Sequence, residues 1–331
     1  MHLQDPSSVK DKRHFSVYMN CTVILCTFNR RQSLLEALES VAASKLPDNF
    51  TWEVLVVDNN STDGTRAVVE EYCRRYPRRF RYLFEPRQGK SHALNSGIRE
   101  SKGEILAFVD DDVTVEPTWL QNLTSSLYGG EWAGAGGKIL LERTCPPPRW
   151  LALDGPYSLA GVLVFFDRGD KPGQLDWAPY GTNMAFRKVM FEKHGGFRTD
   201  LGPNTANEIR GEDTEFGRRL MSAGERLRYE PFAIVYHSVP EKRLRKEYFL
   251  NWYFDFGRAL VREWGRGSDI WGIPRPYFSI LKKIPTSMAA YALHWTVALK
   301  PEKRFFYKVM VWWQAGQIAE MYRLAQSTET K

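Results

Sequence analysis

Three consecutive carboxylates, those of Asp110, Asp111 and Asp112, directly follow the apolar run of residues 105–109. Such a run predicts a buried strand, and acids at its carboxyl end would lie at the sheet edge where α/β proteins bind ligands. Adjacent anions repel one another, so burial requires a compensating cation or hydrogen-bond donors. Clustered oxygen ligands suit Mg²⁺ or Mn²⁺, which in turn binds phosphate. The alternative is a solvated acidic turn that caps a helix starting near Glu116.

Polar side chains also end the first two strands that the sequence predicts. Thr27 and Asn29 follow the apolar run of residues 21–26, and Asp58 follows the run of residues 54–57. Because the carboxyl ends of parallel strands meet at one edge of a sheet, these side chains should line the same crevice as the three aspartates. We expect Asp58 to accept hydrogen bonds from a nucleotide base or ribose, whereas the residues after it form a capping turn.

Three further sets of reactive side chains lie at the predicted ends of helices or strands. Gly89 and Lys90 precede a predicted helix, a position that can contact an anion. Glu212 and Asp213 open another helix, where they could serve acid–base chemistry or simply complement the helix macrodipole. His237 follows an apolar strand. Its imidazole suits Mn²⁺, and a structural histidine is the alternative.

Strands and helices must alternate to position these residues. Short apolar strands separated by amphipathic helices predict an α/β fold with a mostly parallel sheet. Beyond about residue 132 the alternation stops, and the Pro-rich stretch to residue 180 is typical of an active-site loop. The predicted strands are residues 21–26, 54–57, 80–84, 105–109 and 233–236, and the predicted helices are residues 33–43, 65–76, 91–100, 187–194 and 213–223.

Composition restricts the classes of protein to consider. A chain of 331 residues accommodates one large domain or a core domain with an appendage. Its net charge of +7 favours anionic partners such as nucleotides or an anionic membrane surface, and no motif indicates nucleic-acid binding. Cysteine spacing indicates reduced thiols rather than a metal site, and no signal peptide or spanning run stands out. We therefore expect a cytoplasmic protein that can associate peripherally with the inner face of the cell membrane.

Taken together, four motifs resemble glycosyltransferase family 2, the inverting enzymes with a GT-A fold. They are residues 27–30, 56–65, 89–97 and 108–112, and their order and placement agree with the family over about residues 20–240. The resemblance implies a Rossmann-like, mixed, mostly parallel sheet flanked by helices. Processive members carry a Gln-x-x-Arg-Trp motif and several spanning helices, which this sequence lacks. A non-processive enzyme is expected.

The resemblance also implies a donor site. Thr27 and Asp58 would hold the base and ribose of a nucleotide-sugar donor, usually of the UDP type. Asn29, Lys90 and Asp111 belong to the same motifs and would complete the contacts to the donor, with Asp111 helping to position it.

Metal and acceptor chemistry follow from the same resemblance. Asp110 and Asp112, the first and third positions of a DxD motif, would bind Mn²⁺ or Mg²⁺ together with His237. Asp213 would act as the general base for the acceptor hydroxyl, and Glu212 would position the acceptor or share that role.

The function expected is transfer of one sugar from a nucleotide-diphosphate sugar to a carbohydrate or lipid-linked acceptor, in surface polysaccharide or glycolipid assembly. One alternative is a catalytically silent nucleotide-sugar sensor or scaffold at a membrane. A sugar nucleotidyltransferase would need a Gly-rich loop after the first strand, and residues 27–30 contain no glycine. An NAD-dependent oxidoreductase would need a G-x-G-x-x-G turn at the same place.

We expect three parts: a flexible tail (residues 1–19), a GT-A catalytic domain (residues 20–240) and a helical extension (residues 241–331). Basic and aromatic residues alternate in the extension, which suits the headgroup layer of an anionic membrane. The alternative is a helix packed on the catalytic domain with its basic face in solvent. The basic residues are Lys242, Arg243, Arg245, Lys246, Arg258, Arg262 and Arg266, and the aromatic ones are Tyr248, Phe249, Trp252, Tyr253, Phe254, Phe256 and Trp264.

Overall fold

A computed structural model describes residues 21–143, 146–204, 209–264, 269–270 and 273–328. Four parallel strands form one half of its main sheet. Three of them are almost continuous buried runs, as expected for strands covered on both faces, whereas the edge strand is mostly half-buried. These strands are β1 (Cys21–Thr27), β2 (Trp52–Asp58), β3 (Phe80–Phe84) and β4 (Ile105–Asp110).

The other half of the sheet contains strands of both directions. They are β5 (Val113–Val115), β6 (Gly134–Arg143), β7 (Gly173–Gln174), β8 (Asn183–Arg187) and β9 (Leu227–Val239). The strand order is β3-β2-β1-β4-β8-β6-β9-β5, with β7 beside β9. Antiparallel pairing of β5 with β9 places His237 opposite Val113, next to the three aspartates. A separate short pair joins β10 (Asp269–Ile270) to β11 (Ile273–Pro274).

Helices cover both faces of the sheet. Leucines of the first helix and Trp119 of the fourth pack on one face, whereas a cluster of phenylalanines, among them Phe191 and Phe216, packs on the other. One face carries α1 (Arg31–Ala42), α2 (Thr65–Arg75) and α4 (Trp119–Thr124), and the other carries α3 (Lys90–Glu100), α5 (Val189–His194) and α6 (Glu212–Ser222).

Most predicted elements are present within a few residues of their expected bounds. The helix expected near Glu116 begins instead at Trp119, because residues 117–118 form a turn. The sequence did not indicate β8, which enters the sheet antiparallel between β4 and β6. The irregular stretch before residue 180 is packed against the sheet, since Phe166 pairs with Ile139 through two backbone hydrogen bonds.

The carboxyl-terminal region is helical and consists of α7 (Lys246–Trp264), α8 (Arg275–Val297) and α9 (Pro301–Thr328). No helix in the described part of the chain is long and apolar enough to cross a membrane. Phe249 of α7 and Phe305 of α9 pack with Leu159 and Leu163 in one apolar cluster. The extension therefore shares an apolar core with residues 150–163 and is not a separate appendage.

The basic residues of the extension do not form one surface. Arg258 and Arg262 both contact the fully buried carboxylate of Glu320 on α9, at 3.0 and 2.7 Å, and so join α7 to α9. Arg243 points into the cleft described below, whereas Lys246 remains exposed. Arg266 lies outside the described residues. The basic residues that were predicted to share one membrane-facing surface therefore have different structural roles.

Helices α7 and α9 cross where each has a glycine. A Cβ atom added to Gly257 would lie 2.1 Å from the Trp313 carbonyl oxygen, and one added to Gly316 would lie 2.0 Å from that of Phe254. Because these neighbours are backbone atoms, they cannot move aside as a flexible side chain would.

We therefore expect Gly257→Ala to force the two helices apart and to lower the free energy of unfolding by about 1–3 kcal/mol. Gly129→Ala is the matched control, because nothing lies within 4 Å of the position that its new methyl group would take. Thermal denaturation of both variants measures the difference. Equal melting temperatures for the two would contradict the close crossing.

Candidate active site

A cavity of about 490 Å³ opens at the carboxyl ends of β1 and β4. It contains six of the ten predicted site residues, brought together from three of the four motifs and from β9. Its lining comprises Cys26, Thr27, Phe28, Arg30, Asn59, Gln88, Gly89, Lys90, Ala93, Asp110, Asp111, Asp112, Val164, Pro203, Asn204, Arg210, His237, Arg243 and Tyr248.

Asp110 ends β4 and faces α3. Its Oδ1 lies 2.6 Å from Lys90 Nζ, and its Oδ2 accepts a 2.7 Å hydrogen bond from the Thr182 hydroxyl. Burial works against both charges, but each charge stabilises the other, so the pKa of Asp110 is lowered and that of Lys90 is raised. Both oxygens of this carboxylate therefore have partners from the protein.

Lys90 connects the aspartate loop to the amino terminus of α6. Its Nζ lies 3.8 Å from Glu212 Oε1, which is buried beneath the cavity rather than in its lining. Burial and the neighbouring Asp213 raise the pKa of Glu212 to about 7, although Lys90 opposes the shift. A carboxyl group with a pKa near neutrality can accept or release a proton under physiological conditions.

This shift makes stability depend on pH. Since the pKa of Glu212 is higher in the folded protein than in the unfolded chain, ionisation destabilises the fold as pH rises from about 4.5 to about 7. We expect Glu212→Gln to be more stable than the parent by about 1–3 kcal/mol at pH 8 and equal to it near pH 4.5. Melting temperatures across this range test the sign.

Glu85 provides a control of opposite sign. Hydrogen bonds from Arg87 lower its pKa to about 2, so Glu85→Gln should lose stability at pH 8 and recover relative to the parent as pH falls. A Glu212→Gln variant that behaves like Glu85→Gln would contradict the raised pKa.

Asp112 faces the opposite side of the cavity, where cations surround it. Arg30 and Arg243 each donate a 2.7 Å hydrogen bond to its Oδ2, and His237 Nε2 lies 3.6 Å from its Oδ1. Burial opposes ionisation, but the guanidinium groups of Arg243 and Arg30 hold the pKa of Asp112 well below its usual range. This carboxylate is therefore a fixed anion.

Asp111 lies between these two aspartates and behaves differently. Burial raises its pKa to about 6, helped by the charge of Asp112 and opposed by Arg30, which lies 3.1 Å away. The Thr27 hydroxyl also lies beside it. The three acids thus have three distinct environments, and the solvated capping turn considered from the sequence is not what forms.

His237 is held in one tautomer by its partners. Its Nδ1 lies 2.8 Å from the Leu163 carbonyl oxygen, which can only accept, and its Nε2 lies 2.7 Å from Arg243, whose guanidinium can only donate. The Nε2 lone pair is therefore unprotonated and directed to the same region as the Asp112 carboxylate. Metal-binding imidazoles often have their second nitrogen held by a backbone carbonyl, as Nδ1 is here, although Arg243 occupies Nε2 in the structure.

A divalent cation in this region would have one oxygen ligand from Asp112 and one nitrogen ligand from His237. In the structure the guanidinium groups of Arg30 and Arg243 contact these two side chains, and a cation would displace them. Among the described residues, no group of three or more His, Cys, Asp or Glu is placed to hold a metal. Further ligands would have to come from substrate phosphates and water, as is usual for such ions.

Asp58 and Asn29 order the loops beside the cavity. Asp58 is 1% exposed, and its oxygens accept hydrogen bonds of 2.9 Å from the Ser61 amide and the Tyr82 hydroxyl. Asn29 has a φ of 51° and accepts a 2.7 Å hydrogen bond from the Thr62 amide, which ties the loop after β1 to the loop after β2. Neither residue lines the 490 Å³ cavity, and their contacts with a donor stay a prediction.

Asp213 is half-buried beside the cavity at the start of α6. Its Oδ2 accepts a 2.6 Å hydrogen bond from the Gly181 amide, and its Oδ1 accepts one of 2.7 Å from the Thr214 amide. These backbone contacts fix the carboxylate orientation without neutralising it. The segment before β8 and the start of α6 therefore cooperate to present one oriented acid.

The sequence profile of glycosyl transferase family 2 matches residues 22–195, more than half of the chain. The chain belongs to glycosyl transferase family 2. The resemblance inferred from four short motifs is thereby confirmed, and the protein is a glycosyltransferase.

Several curated relatives resemble this glycosyltransferase over most of their length. The succinoglycan biosynthesis protein ExoM of Rhizobium meliloti is 31% identical over 239 residues, covering 72% of this chain and 73% of ExoM. Glycosyltransferase AglE of Haloferax volcanii is 32% identical over 244 residues, covering 73% of each chain.

Solved structures confirm the GT-A fold. The mannosyltransferase PcManGT from Pyrobaculum calidifontis, in complex with GDP-Man and Mn²⁺, aligns with a TM-score of 0.60 at 23% identity, covering 93% of this chain and 88% of that one. GalNAc-T7 with UDP, GalNAc and Mn²⁺ aligns with a TM-score of 0.56 at 15% identity, covering 92% of this chain and 57% of that one.

Three contributors to the transferase site were not assigned from the sequence. Arg243 was placed in a membrane-facing cluster, Arg30 belongs to the motif of residues 27–30 without a role of its own, and Thr182 was not among the predicted site residues. Arg243 follows His237 by six residues, and this proximity to a predicted metal ligand was the one signal that could have found it. Val164, which lines the cavity with a φ of 63°, had no sequence signal.

Proposed function

We propose that this glycosyltransferase transfers one sugar from a nucleotide-diphosphate sugar to an acceptor hydroxyl, with inversion at the anomeric carbon. The observation that carries the proposal is a continuous series of neighbouring charged and titratable side chains across the site. It runs from Asp112 and His237, through the aspartate loop, to Lys90 and the acids that open α6. One end suits a metal diphosphate and the other suits acid–base chemistry.

At the first end, Asp112 and His237 would hold Mn²⁺ or Mg²⁺, with Asp110 close by in the same loop. A bound divalent ion neutralises the charge that develops on a departing diphosphate. Arg30 and Arg243, which now contact Asp112, are placed to donate hydrogen bonds to phosphate oxygens instead. Thr27, Lys90 and the other motif residues would hold the nucleotide portion.

At the other end, Asp213 would remove the acceptor proton. As the acceptor oxygen forms a bond to the anomeric carbon, the bond from that carbon to the diphosphate oxygen breaks, and the proton passes to the Asp213 carboxylate. Gly181 and Thr214 hold this carboxylate in one orientation, which supports its role as base. Glu212, buried beside Lys90, would help to position the acceptor.

The names of two relatives support an acceptor class. ExoM is a succinoglycan biosynthesis protein, and a Haloferax volcanii relative that is 26% identical is a glucosyl-dolichyl phosphate glucuronosyltransferase. These names support a polysaccharide or lipid-linked acceptor for this chain, in surface polysaccharide or glycolipid assembly at the cytoplasmic face of a membrane.

A donor panel tests the proposal. Purified protein is incubated with Mn²⁺ and a series of UDP-, GDP- and dTDP-sugars, and released nucleoside diphosphate is measured with and without EDTA. We expect release from one donor and its loss on chelation. Donor binding with no release from any member, with acceptor extracts present, would favour the sensor alternative and contradict the transfer reaction.

A further inference from the structure

The turn between α8 and α9 exposes apolar side chains that nothing in the described chain covers. Residues 284–299 contain no Asp, Glu, Lys or Arg. On α8, Leu293 and Val297 are 61% and 60% exposed and lie one turn apart on the same face. Leu299, in the turn, is 97% exposed. We name this set, Leu293, Val297 and Leu299, the hairpin tip.

Basic side chains adjoin the hairpin tip. Between residues 284 and 319 the sequence has four basic residues and one acidic residue, Glu302. Because three of these four follow the tip within five residues, its rim is positively charged. The four basic residues are Lys300, Lys303, Arg304 and Lys308.

Aromatic side chains occupy the boundary between the apolar and basic parts. Lys308 Nζ lies 5.3 Å from the ring centroid of Trp295 and 5.1 Å from that of Trp312, and the His294 ring stacks on Tyr307 at 4.7 Å. Tryptophan and tyrosine rings have an apolar body and a polar end, which suits the headgroup level of a bilayer.

We propose that the hairpin tip docks on the surface of an anionic lipid bilayer. An uncharged helix face with exposed leucines, a basic rim and aromatic side chains between them has the features of an interfacial helix. The leucines would enter the boundary between headgroups and acyl chains, and the basic rim would contact lipid phosphates. The charge complementarity favours an anionic bilayer over a second copy of this basic chain.

The hairpin packs against the segment that leads to the active site. Trp150 packs on Phe305 of α9 with ring centroids 4.5 Å apart, and Tyr157 packs on Phe306 at 5.6 Å. The same packed segment continues to Leu163, whose carbonyl oxygen holds His237. A docked hairpin would therefore fix the catalytic cleft relative to the membrane. Membrane docking does not depend on the proposed transfer reaction.

Vesicle flotation with the full chain tests this surface. We expect the parent to float with vesicles of phosphatidylcholine and phosphatidylglycerol at low salt, and much less with pure phosphatidylcholine. Leu293→Glu/Leu299→Glu should lower the partition coefficient at least about tenfold, because two charges would replace the inserting side chains. Phe232→Glu is the matched control, since Phe232 is 62% exposed on β9 of the catalytic sheet and should not affect flotation.

The basic rim makes a separate prediction. Lys300→Gln and Lys303→Gln should each lower the partition coefficient about fivefold on the anionic vesicles. A parent that does not float with anionic vesicles, or a tip variant that floats like the parent, would overturn the proposal. So would sedimentation showing that the tip variant converts a parent dimer to a monomer while vesicle binding stays absent. Circular dichroism verifies that each variant is folded.

Discussion

Asp213→Asn is expected to lower the turnover number about 1000-fold, within the range that a positioned general base contributes. Asparagine preserves the shape of the side chain, and its single amide oxygen can still accept one of the two hydrogen bonds that Gly181 and Thr214 donate to different oxygens of Asp213. It cannot take up the acceptor proton. Because Asp213 lies outside the lining of the nucleotide cavity, the dissociation constant of the donor should change by no more than about twofold.

Glu215→Gln is the matched control for this substitution. Glu215 lies in the same first turn of α6, but its carboxylate pairs with Arg219 at 2.8 Å rather than facing the cavity. We expect this variant to keep nearly full turnover. Steady-state rates and isothermal titration with the donor separate the two effects. Wild-type turnover in Asp213→Asn, with its own acceptor present, would disprove the assignment of the base.

Asp112→Asn is expected to weaken Mn²⁺ binding by about two orders of magnitude, because it removes the anionic ligand of the proposed metal site. The variant should also lose the metal-dependent part of nucleoside diphosphate affinity. Electron paramagnetic resonance of free Mn²⁺ measures the metal constant without requiring turnover. His237→Gln should act in the same direction.

The other aspartates provide the comparison. Asp110 is engaged by Lys90 and Thr182, so Asp110→Asn should weaken Mn²⁺ binding less than Asp112→Asn does. Asp170→Asn, which changes an exposed carboxylate paired with Lys138, should leave the metal constant unchanged. Equal affinities for Mn²⁺ in Asp112→Asn and Asp170→Asn would show that the metal binds elsewhere or is not used.

The sequence was sufficient to predict which strand ends meet. Residues 21–26, 54–57 and 105–109 are apolar runs separated by amphipathic helices, and this pattern leaves few arrangements besides a parallel sheet. Once the strands are parallel, the polar residues that follow them share one edge. The cavity that contains Thr27 and Asp112 lies at this edge of the sheet.

The partners of these residues were not predictable, because they depend on long-range pairing. Thr182 reaches Asp110 through the segment before β8, an antiparallel strand that interrupts the parallel order. Arg243 and Arg258 both looked like members of one basic surface. One contacts Asp112 and the other contacts buried Glu320. Charge along the sequence does not reveal which acid each arginine will meet in space.

Asp58 shows a second limit on what can be predicted from the sequence, which concerns the role of a single side chain. Its position after a buried strand indicated a ligand contact, but the same position also allows it to hold its own loop through the Ser61 amide. Both uses need an acceptor at a strand end, so residue type and position cannot separate them. The tautomer of His237 likewise depends on Leu163, which lies 74 residues away in the sequence.

The anomeric configuration of the transferred sugar distinguishes inversion from retention. With the donor identified by the panel, proton NMR of the first product gives the configuration at the new glycosidic bond. In a single displacement by an acceptor that Asp213 activates, an α-linked donor should yield a β-linked product. An α-linked product formed from that donor would contradict the mechanism.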